Sequence, residues 1–114
     1  MSDISDINIF KCLDFIRDNA LEYAQARANR VYMEEFRKSK KALLMKEAER
    51  AGHNAVSAQE REAYADKGYM DHLEALCDAV KREEEFRWMM IAVQAKIEVW
   101  RTISANQRVE AKNV

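Results

Sequence analysis

Residues 46–60 read KEAERAGHNAVSAQE and contain a helix stop signal followed closely by a helix start signal. The stop signal is Gly52, because glycine adopts without steric penalty the left-handed conformation that ends many helices. The two residues that follow, His53 and Asn54, are weak helix formers. The first helix is therefore predicted to end near Ala51.

The start signal in the same stretch is a capping box. Ser57 and Glu60 have the spacing at which a serine hydroxyl and a glutamate carboxylate each accept a hydrogen bond from an unpaired backbone N–H at a helix N-terminus. The second helix is predicted to begin at Ala58, which leaves residues 52–57 as the turn.

Apolar stripes extend from this turn in both directions. The chain has no proline and two glycines, so few positions interrupt a helix. Apolar residues recur at steps of three and four, which predicts amphipathic helices over about residues 6–51 and 58–109. The predicted stripe of the first helix consists of Leu13, Ile16, Ala20, Leu21, Ala24, Ala28, Val31, Tyr32, Phe36 and Leu43. That of the second consists of Ala65, Tyr69, Leu73, Leu76, Val80, Phe86, Met90, Val93, Ile97, Trp100 and Ile103.

Two local features depart from the regular pattern of these predicted helices. The run from Ala24 to Phe36 advances by fours, which interrupts a regular coiled-coil repeat in the first helix. Gly68 lies inside the second helix, where we interpret it as a point of close packing rather than as a kink.

Folding the chain about the turn brings the two stripes together. Paired positions then have numbers that sum to about 109, so that Phe36 meets Leu73 and Leu13 comes near Val93 and Ile97. Because neither helix alone requires this agreement, it favours the pairing. We predict a single all-α domain over residues 1–114, built as a long antiparallel helical hairpin.

One hairpin leaves apolar side chains without cover. These are Phe10, Phe15, Met33, Leu44, Trp88, Met89 and Ile91. A two-fold homodimer that forms a four-helix bundle would cover them, and this is the favoured interpretation. The alternative is that the first helix breaks near Asp18-Asn19 and its N-terminal piece folds over the hairpin as a third helix. The predicted partner or dimer interface consists of Trp88, Met89, Ile91, Phe15 and Met33.

Composition limits the class of protein. The formal net charge is −1, so the protein lacks the strong positive field of most nucleic-acid binders. Cys12 and Cys77 are far apart in sequence and belong to no C-x-x-C pair, which indicates a reducing compartment. The sequence has neither a signal peptide pattern nor a continuous apolar stretch long enough for a membrane span. We therefore expect a cytoplasmic protein, in the host cell cytoplasm if a phage encodes it.

The sequence contains no pattern typical of catalysis. Glu83, Glu84 and Glu85 point in different directions on a helix and are interpreted as a solvated face. His53 and His72 lack the Glu-x-x-His spacing of di-iron bundles and are interpreted as surface or boundary residues. Both cysteines are interpreted as small buried thiols. We predict no enzymatic activity, no catalytic or metal site and no cofactor.

A basic segment late in the first helix suggests a second kind of binding. Its members are Arg37, Lys38, Lys40, Lys41 and Lys46, which could contact the phosphates of a nucleic acid. Acidic residues such as Glu34, Glu35, Glu47 and Glu49 are interleaved with them, and ordinary ion pairing along a solvated helix is the favoured interpretation.

Two segments resemble proteins of tailed phages. The segment KIEVWRTISANQR, residues 96–108, resembles the C-terminal ends of small, uncharacterised helical proteins of phages and prophages. So does the region from Glu34 to Glu49 ahead of a short turn and the start SAQERE. The resemblance implies an accessory role in a phage recombination or replication region. The leading hypothesis is a protein-binding accessory factor for recombination, replication or interference with host defence, and the alternative is direct nucleic-acid binding.

Overall fold

A computed structural model describes residues 7–113 of the chain and confirms the all-α fold. Helix α1 spans Ile9–Arg50, α2 spans Val56–Ala65 and α3 spans Lys67–Lys112, and the described residues form no strand. Within this described part, no helix combines the length and the apolar character that crossing a membrane requires. The predicted start of the first helix, residue 6, lies outside the described residues.

The protein divides into two compact units; both contain part of α1 and part of α3, and one of them also contains α2. The terminal unit consists of the chain up to Tyr23 and from Glu84 onward, and the turn unit consists of Ala24–Glu83. Helix α1 passes Asp18-Asn19 without interruption, so the alternative with a broken first helix is wrong. The prediction that residues 1–114 form one domain stays a prediction.

Each end of α1 is closed by a recognisable cap. At its start the side-chain oxygen of Asn8 accepts hydrogen bonds from the backbone N–H groups of Phe10, at 3.1 Å, and Lys11, at 3.2 Å. At its end Gly52 has a φ of 107°, and the N–H of His53 donates to the carbonyl of Ala48 at 3.0 Å. The helix ends as glycine at this position predicts.

The predicted capping box at the start of the second helix is wrong. Helix α2 begins at Val56, so Ser57 is already inside it, and the N-cap is Ala55, which makes no side-chain hydrogen bond. Gln59 is buried instead, and its Nε2 donates to the carbonyl of His53 at 2.9 Å. Glu60 points towards Lys41, with Oε1 at 3.7 Å from Nζ, and so does not reach back to the cap.

The prediction of one continuous second helix over residues 58–109 is also wrong, because the chain leaves the helical conformation at Asp66. Asp66 has a ψ of 132°, and its Oδ2 accepts a hydrogen bond from the N–H of Tyr69 at 3.1 Å. This short side chain competes with the helical backbone and caps α3. Gly68 lies in the first turn of α3, where a Cβ would lie 3.0 Å from Oδ2 of Asp66 and 3.2 Å from Nζ of Lys40. Its close packing is confirmed, but its predicted position inside an unkinked helix is wrong.

In the turn unit, small and polar residues occupy the contact between the helices. Buried positions include Ala79 of α3 and Ala26 and Ala48 of α1, and the last two share one side of α1 with half-buried Arg30, Met33 and Leu44, at steps of three, four or eleven residues. Several residues of the predicted stripe are exposed instead: Val31, Tyr32, Phe36, Leu43, Leu73 and Val80. That part of the stripe assignment is wrong, because alanines allow closer backbone approach than the larger apolar residues on the adjacent faces.

The predicted register is nevertheless confirmed in both units. In the terminal unit the rings of Tyr23 and Phe86 stack with centroids 6.0 Å apart, and these residue numbers sum to 109. In the turn unit Phe36 contacts His72 at 5.4 Å, with a sum of 108. In the terminal unit Leu13 is half exposed, and the buried residue of this turn of α1 is Cys12.

An ion pair lies inside the contact of the turn unit. Nη2 of Arg30 donates to Oε1 of Glu83 at 3.0 Å, Nε of Arg30 donates to Oε2, and Nη1 reaches Glu34 at 3.0 Å. The hydrogen bond to Glu83 raises the pKa of Arg30 above its ordinary value, against the opposing effect of burial. Only 13% of the Glu83 side chain is exposed, so the interpretation of Glu83 as part of a solvated face is wrong.

The Glu83 carboxylate should contribute more to stability than its neighbours. We expect Glu83→Ala to lower the urea midpoint of unfolding, because it leaves Arg30 without its bidentate partner in a poorly hydrated contact. The exposed Glu85 offers a matched control, and Glu85→Ala should change the midpoint little. Equal midpoints for the two variants would contradict the structural role given to the ion pair.

The break at Asp66 leads to a second stability prediction. Asp66→Ala removes the acceptor that caps α3 and should reduce the free energy of unfolding by about 1 kcal/mol. Asp78→Ala, at an exposed position within the same helix, should change it by less than about 0.5 kcal/mol. Urea denaturation followed by circular dichroism measures both, and an Asp66→Ala protein as stable as the wild type would show that no cap exists there.

Candidate functional site

The residue types that usually carry metal or acid–base chemistry are dispersed over the described chain. Residues 7–113 contain no group of three or more His, Cys, Asp or Glu side chains that could hold a metal ion. His53 and His72 are both half-buried. Nε2 of His72 donates to the carbonyl of Met33 at 2.8 Å, which assigns this histidine to the contact between α1 and α3 of the turn unit.

The two cysteines differ in environment. Both are free thiols; Cys12 is buried, as predicted, whereas Cys77 is exposed. The interpretation of Cys77 as a buried thiol is therefore wrong. It lies one position beyond Leu76, which is buried, and this step of about 100° turns its side chain out of the contact.

The predicted interface residues fall into two groups by exposure. Trp88, Met89 and Ile91 are exposed in the terminal unit, with 60% of Trp88 accessible. Phe15, in the terminal unit, and Met33, in the turn unit, are half-buried. The exposed group therefore offers more surface to a partner.

Trp88 and Ile91 of this exposed group belong to an uncharged stripe on α3, whereas Met89 lies about 100° away from Trp88 and outside the stripe. In the terminal unit, buried Phe86 and Met90 mark the side of α3 that faces α1. At about 100° per residue, Trp88 lies on the opposite side. The same outward side carries Ile91, Ala92, Ala95, Val99, Thr102, Asn106 and Val109, none of which is charged and all of which are exposed. We call these residues, with Trp88, the outward stripe.

The outward side of α3 has the opposite character in the turn unit. There the buried residues Tyr69, Leu76 and Ala79 define the side that faces α1. The side opposite to them carries exposed charged residues: Lys67, Asp71, Glu74, Asp78 and Lys81. A charged outward side is typical of a solvated helix. The uncharged stripe that starts at Trp88 therefore distinguishes the outward surface of α3 in the terminal unit from that in the turn unit.

Two polar groups in and beside the outward stripe already have local partners. The hydroxyl of Thr102 donates to the carbonyl of Glu98 at 3.1 Å, so that its methyl group is available for apolar contact. The guanidinium of Arg87 lies 5.0 Å from the centre of the Trp88 ring and donates through Nε to Glu84 at 3.0 Å. Burial of this part of the stripe therefore leaves neither the Thr102 hydroxyl nor the Arg87 guanidinium without a partner.

Three of the five predicted nucleic-acid contacts converge on one hollow of the turn unit. Arg37, Lys38 and Lys41 line a depression of about 480 Å³, together with Tyr64, Tyr69 and Leu73. We call it the tyrosine hollow. Lys40 is half-buried beside Gly68, and Lys46 is exposed; neither lines the hollow.

The cations of the tyrosine hollow differ in how far they are neutralised. Lys41 lies 4.7 Å from the centre of the Tyr64 ring and 3.7 Å from Glu60. A hydrogen bond with Tyr64 is the main cause that raises the pKa of Lys41 above its ordinary value, against the opposing effect of burial, and the charge of Glu60 contributes less. Lys38 contacts Glu35 at 3.4 Å in an exposed pair. No described residue forms an ion pair or hydrogen bond with the guanidinium of Arg37.

The two tyrosines of the hollow are the functional candidates that sequence reasoning missed. Tyr64 and Tyr69 are in edge contact, with ring centroids 5.6 Å apart. On a continuous helix these positions would point about 140° apart. The sequence signal for a helix break between the two tyrosines was Asp66, a short acidic residue that can cap a helix and that precedes Gly68.

Comparison with known proteins adds no function to these surfaces. No protein-family model matches the chain, and neither a curated protein nor a solved structure does. The resemblance of residues 96–108 to phage proteins stays a prediction from the sequence.

Proposed function

We propose that this chain is a non-enzymatic protein-binding factor that self-associates through the outward stripe of α3. The observation that carries the proposal is the change from a charged to an uncharged outward side at Trp88. A helix whose opposite sides are both apolar needs contacts on both sides, and α1 supplies those on one side only.

The energetic case rests on the size of the exposed side chains. Trp88 is 60% exposed, and Ile91 and Val99 are also exposed on the same stripe. Complete burial of a large apolar side chain contributes about 1.5–3 kcal/mol. The exposed parts of several such side chains on each of two copies provide a gross gain from which the cost of association is subtracted, and we expect a net affinity in the micromolar range, about 8 kcal/mol.

A second copy of the chain is the partner that the stripe fits best. Ala95 lies near the centre of the stripe and Ala92 beside it, so two α3 helices can approach closely there. An antiparallel pairing about Ala95 places Ile91 of each copy against Val99 of the other. It also places Trp88 against the methyl group of Thr102. A two-fold axis at Ala95 thus gives a self-complementary contact, which is the usual form of a homodimer.

The dimer would form a four-helix bundle from the two terminal units. We further propose that the protein acts in the cytoplasm, that of a host cell if it is phage-encoded, in keeping with its two free thiols. The resemblance to phage proteins supports an accessory role in recombination, replication or interference with host defence, through a protein partner of the dimer.

A charge at the centre of the stripe should prevent dimer formation. Ala95→Glu places two carboxylates together at the proposed two-fold axis and should weaken the dimer at least about 100-fold, because buried unpaired charges are strongly unfavourable. Sedimentation equilibrium measures the dimer dissociation constant. Ala75→Glu makes the same change at an exposed alanine of α3 in the turn unit and should leave that constant unchanged.

Truncation of the exposed tryptophan tests the same contact without adding charge. Trp88→Ser should weaken the dimer by about 30-fold, as expected for a tryptophan at an interface. Val56→Ser, at a similarly exposed apolar residue of α2, is the control. A wild-type protein that sediments as a monomer at about 100 μM, far above the dissociation constant expected from this contact, would refute self-association.

A further inference from the structure

We propose that the tyrosine hollow of the turn unit is a binding site for single-stranded nucleic acid, with Arg37 and Lys38 holding phosphate groups and Tyr64 stacking on a base. This site is separate from the outward stripe, since all six lining residues belong to the turn unit. The proposal does not depend on dimer formation.

The arrangement of cations suits a phosphate group. Arg37 and Lys41 are one helical turn apart on α1, and Lys38 lies beside them, so three positive side chains border one depression. The unpaired guanidinium of Arg37 can donate two parallel hydrogen bonds to phosphate oxygens. Lys38 can exchange its exposed partner Glu35 for a phosphate at little cost, since surface ion pairs contribute little.

The aromatic wall of the hollow suits a base. Tyr64 is 48% exposed, and its edge contact with Tyr69, which is buried, holds the ring in place. Lys41 covers part of this ring and adds positive charge next to the stacking surface. Stacking on aromatic rings beside cations is the usual mode of binding single strands, and it tolerates any base.

The helix break at Asp66 brings the cations and the aromatic wall of the tyrosine hollow together. The change of direction between α2 and α3 brings Tyr64 and Tyr69 into contact, and Lys41 of α1 reaches Tyr64 from the other side. The volume, about 480 Å³, is in the range of small-ligand pockets and accommodates one unstacked nucleotide. A base paired within a duplex could not enter it, which favours a single strand as ligand.

Fluorescence anisotropy with a labelled oligothymidylate of about 15 nucleotides, a length within the range of single-strand site sizes, tests the proposal. Wild-type protein should bind at low salt. Arg37→Glu should weaken binding at least about tenfold and reduce the slope of log K against log salt by about 0.7 for each phosphate that it no longer neutralises. Lys81→Glu is the charge-matched control at an exposed lysine of the turn unit. Because Lys81 does not line the hollow, this variant should weaken binding less than about twofold.

The tyrosine provides an independent test. Tyr64→Ala should weaken binding of the oligothymidylate by about fivefold or more, the lower range for removal of one stacked base, and leave the salt slope unchanged. Circular dichroism verifies that each variant is folded. The proposal would be overturned by absence of binding at low salt or by equal weakening in Arg37→Glu and Lys81→Glu. A duplex of equal length that binds as tightly as the single strand and is insensitive to Tyr64→Ala would also overturn it.

Discussion

The contact between α1 and α3 is narrow, and the sides of the two helices that it leaves exposed form the remaining surfaces of the molecule. In the turn unit its buried residues are largely alanines, and a bidentate pair between Arg30 and Glu83 lies within it. No large side chain among residues 7–113 is fully buried. Two helices that meet along such a contact bury one side of each, so the chemistry of the remaining sides decides how the chain behaves.

Those remaining sides differ along α3. Its outward side is charged in the turn unit, where water satisfies it, and uncharged from Trp88 to Val109 in the terminal unit. The break at Asp66 produces a different local feature, in which two tyrosines and three cations surround one hollow. A surface without charge and a hollow with unpaired charge suit different ligands, which is why we assign protein association to the first and a nucleic-acid strand to the second.

Some of this architecture could be predicted from the sequence because single residues have strong local effects. Gly52 ends α1 in a left-handed conformation, and the register near a sum of 109 follows from the position of that turn. The side that each helix buries was harder to predict, since apolar residues occur on more than one side of both helices. Tyr32 and Phe36 have the periodicity of a core stripe, yet the neighbouring small residues form the contact.

The remaining errors arose where two local interactions compete. Ser57 and Glu60 match a capping box, but burial of Gln59 against His53 begins α2 earlier. Asp66 can either stay in a helix or cap a new one, and its hydrogen bond to the N–H of Tyr69 selects the cap. Because Tyr64 and Tyr69 come into contact only when the helix breaks at Asp66, the tyrosine hollow could not be deduced from the spacing of residues alone.

We propose that the outward stripe of α3 pairs with the same stripe of a second copy about Ala95. Oxidative cross-linking tests it most directly, using Ala95→Cys in a chain that also carries Cys77→Ser to remove the exposed thiol. A disulfide needs Cα atoms within about 7 Å, so close pairing about Ala95 should give rapid formation of a covalent dimer. Ala75→Cys in the same background should stay monomeric on oxidation. No cross-linking of Ala95→Cys, or equal cross-linking of Ala75→Cys, would show that two α3 helices do not pair about Ala95.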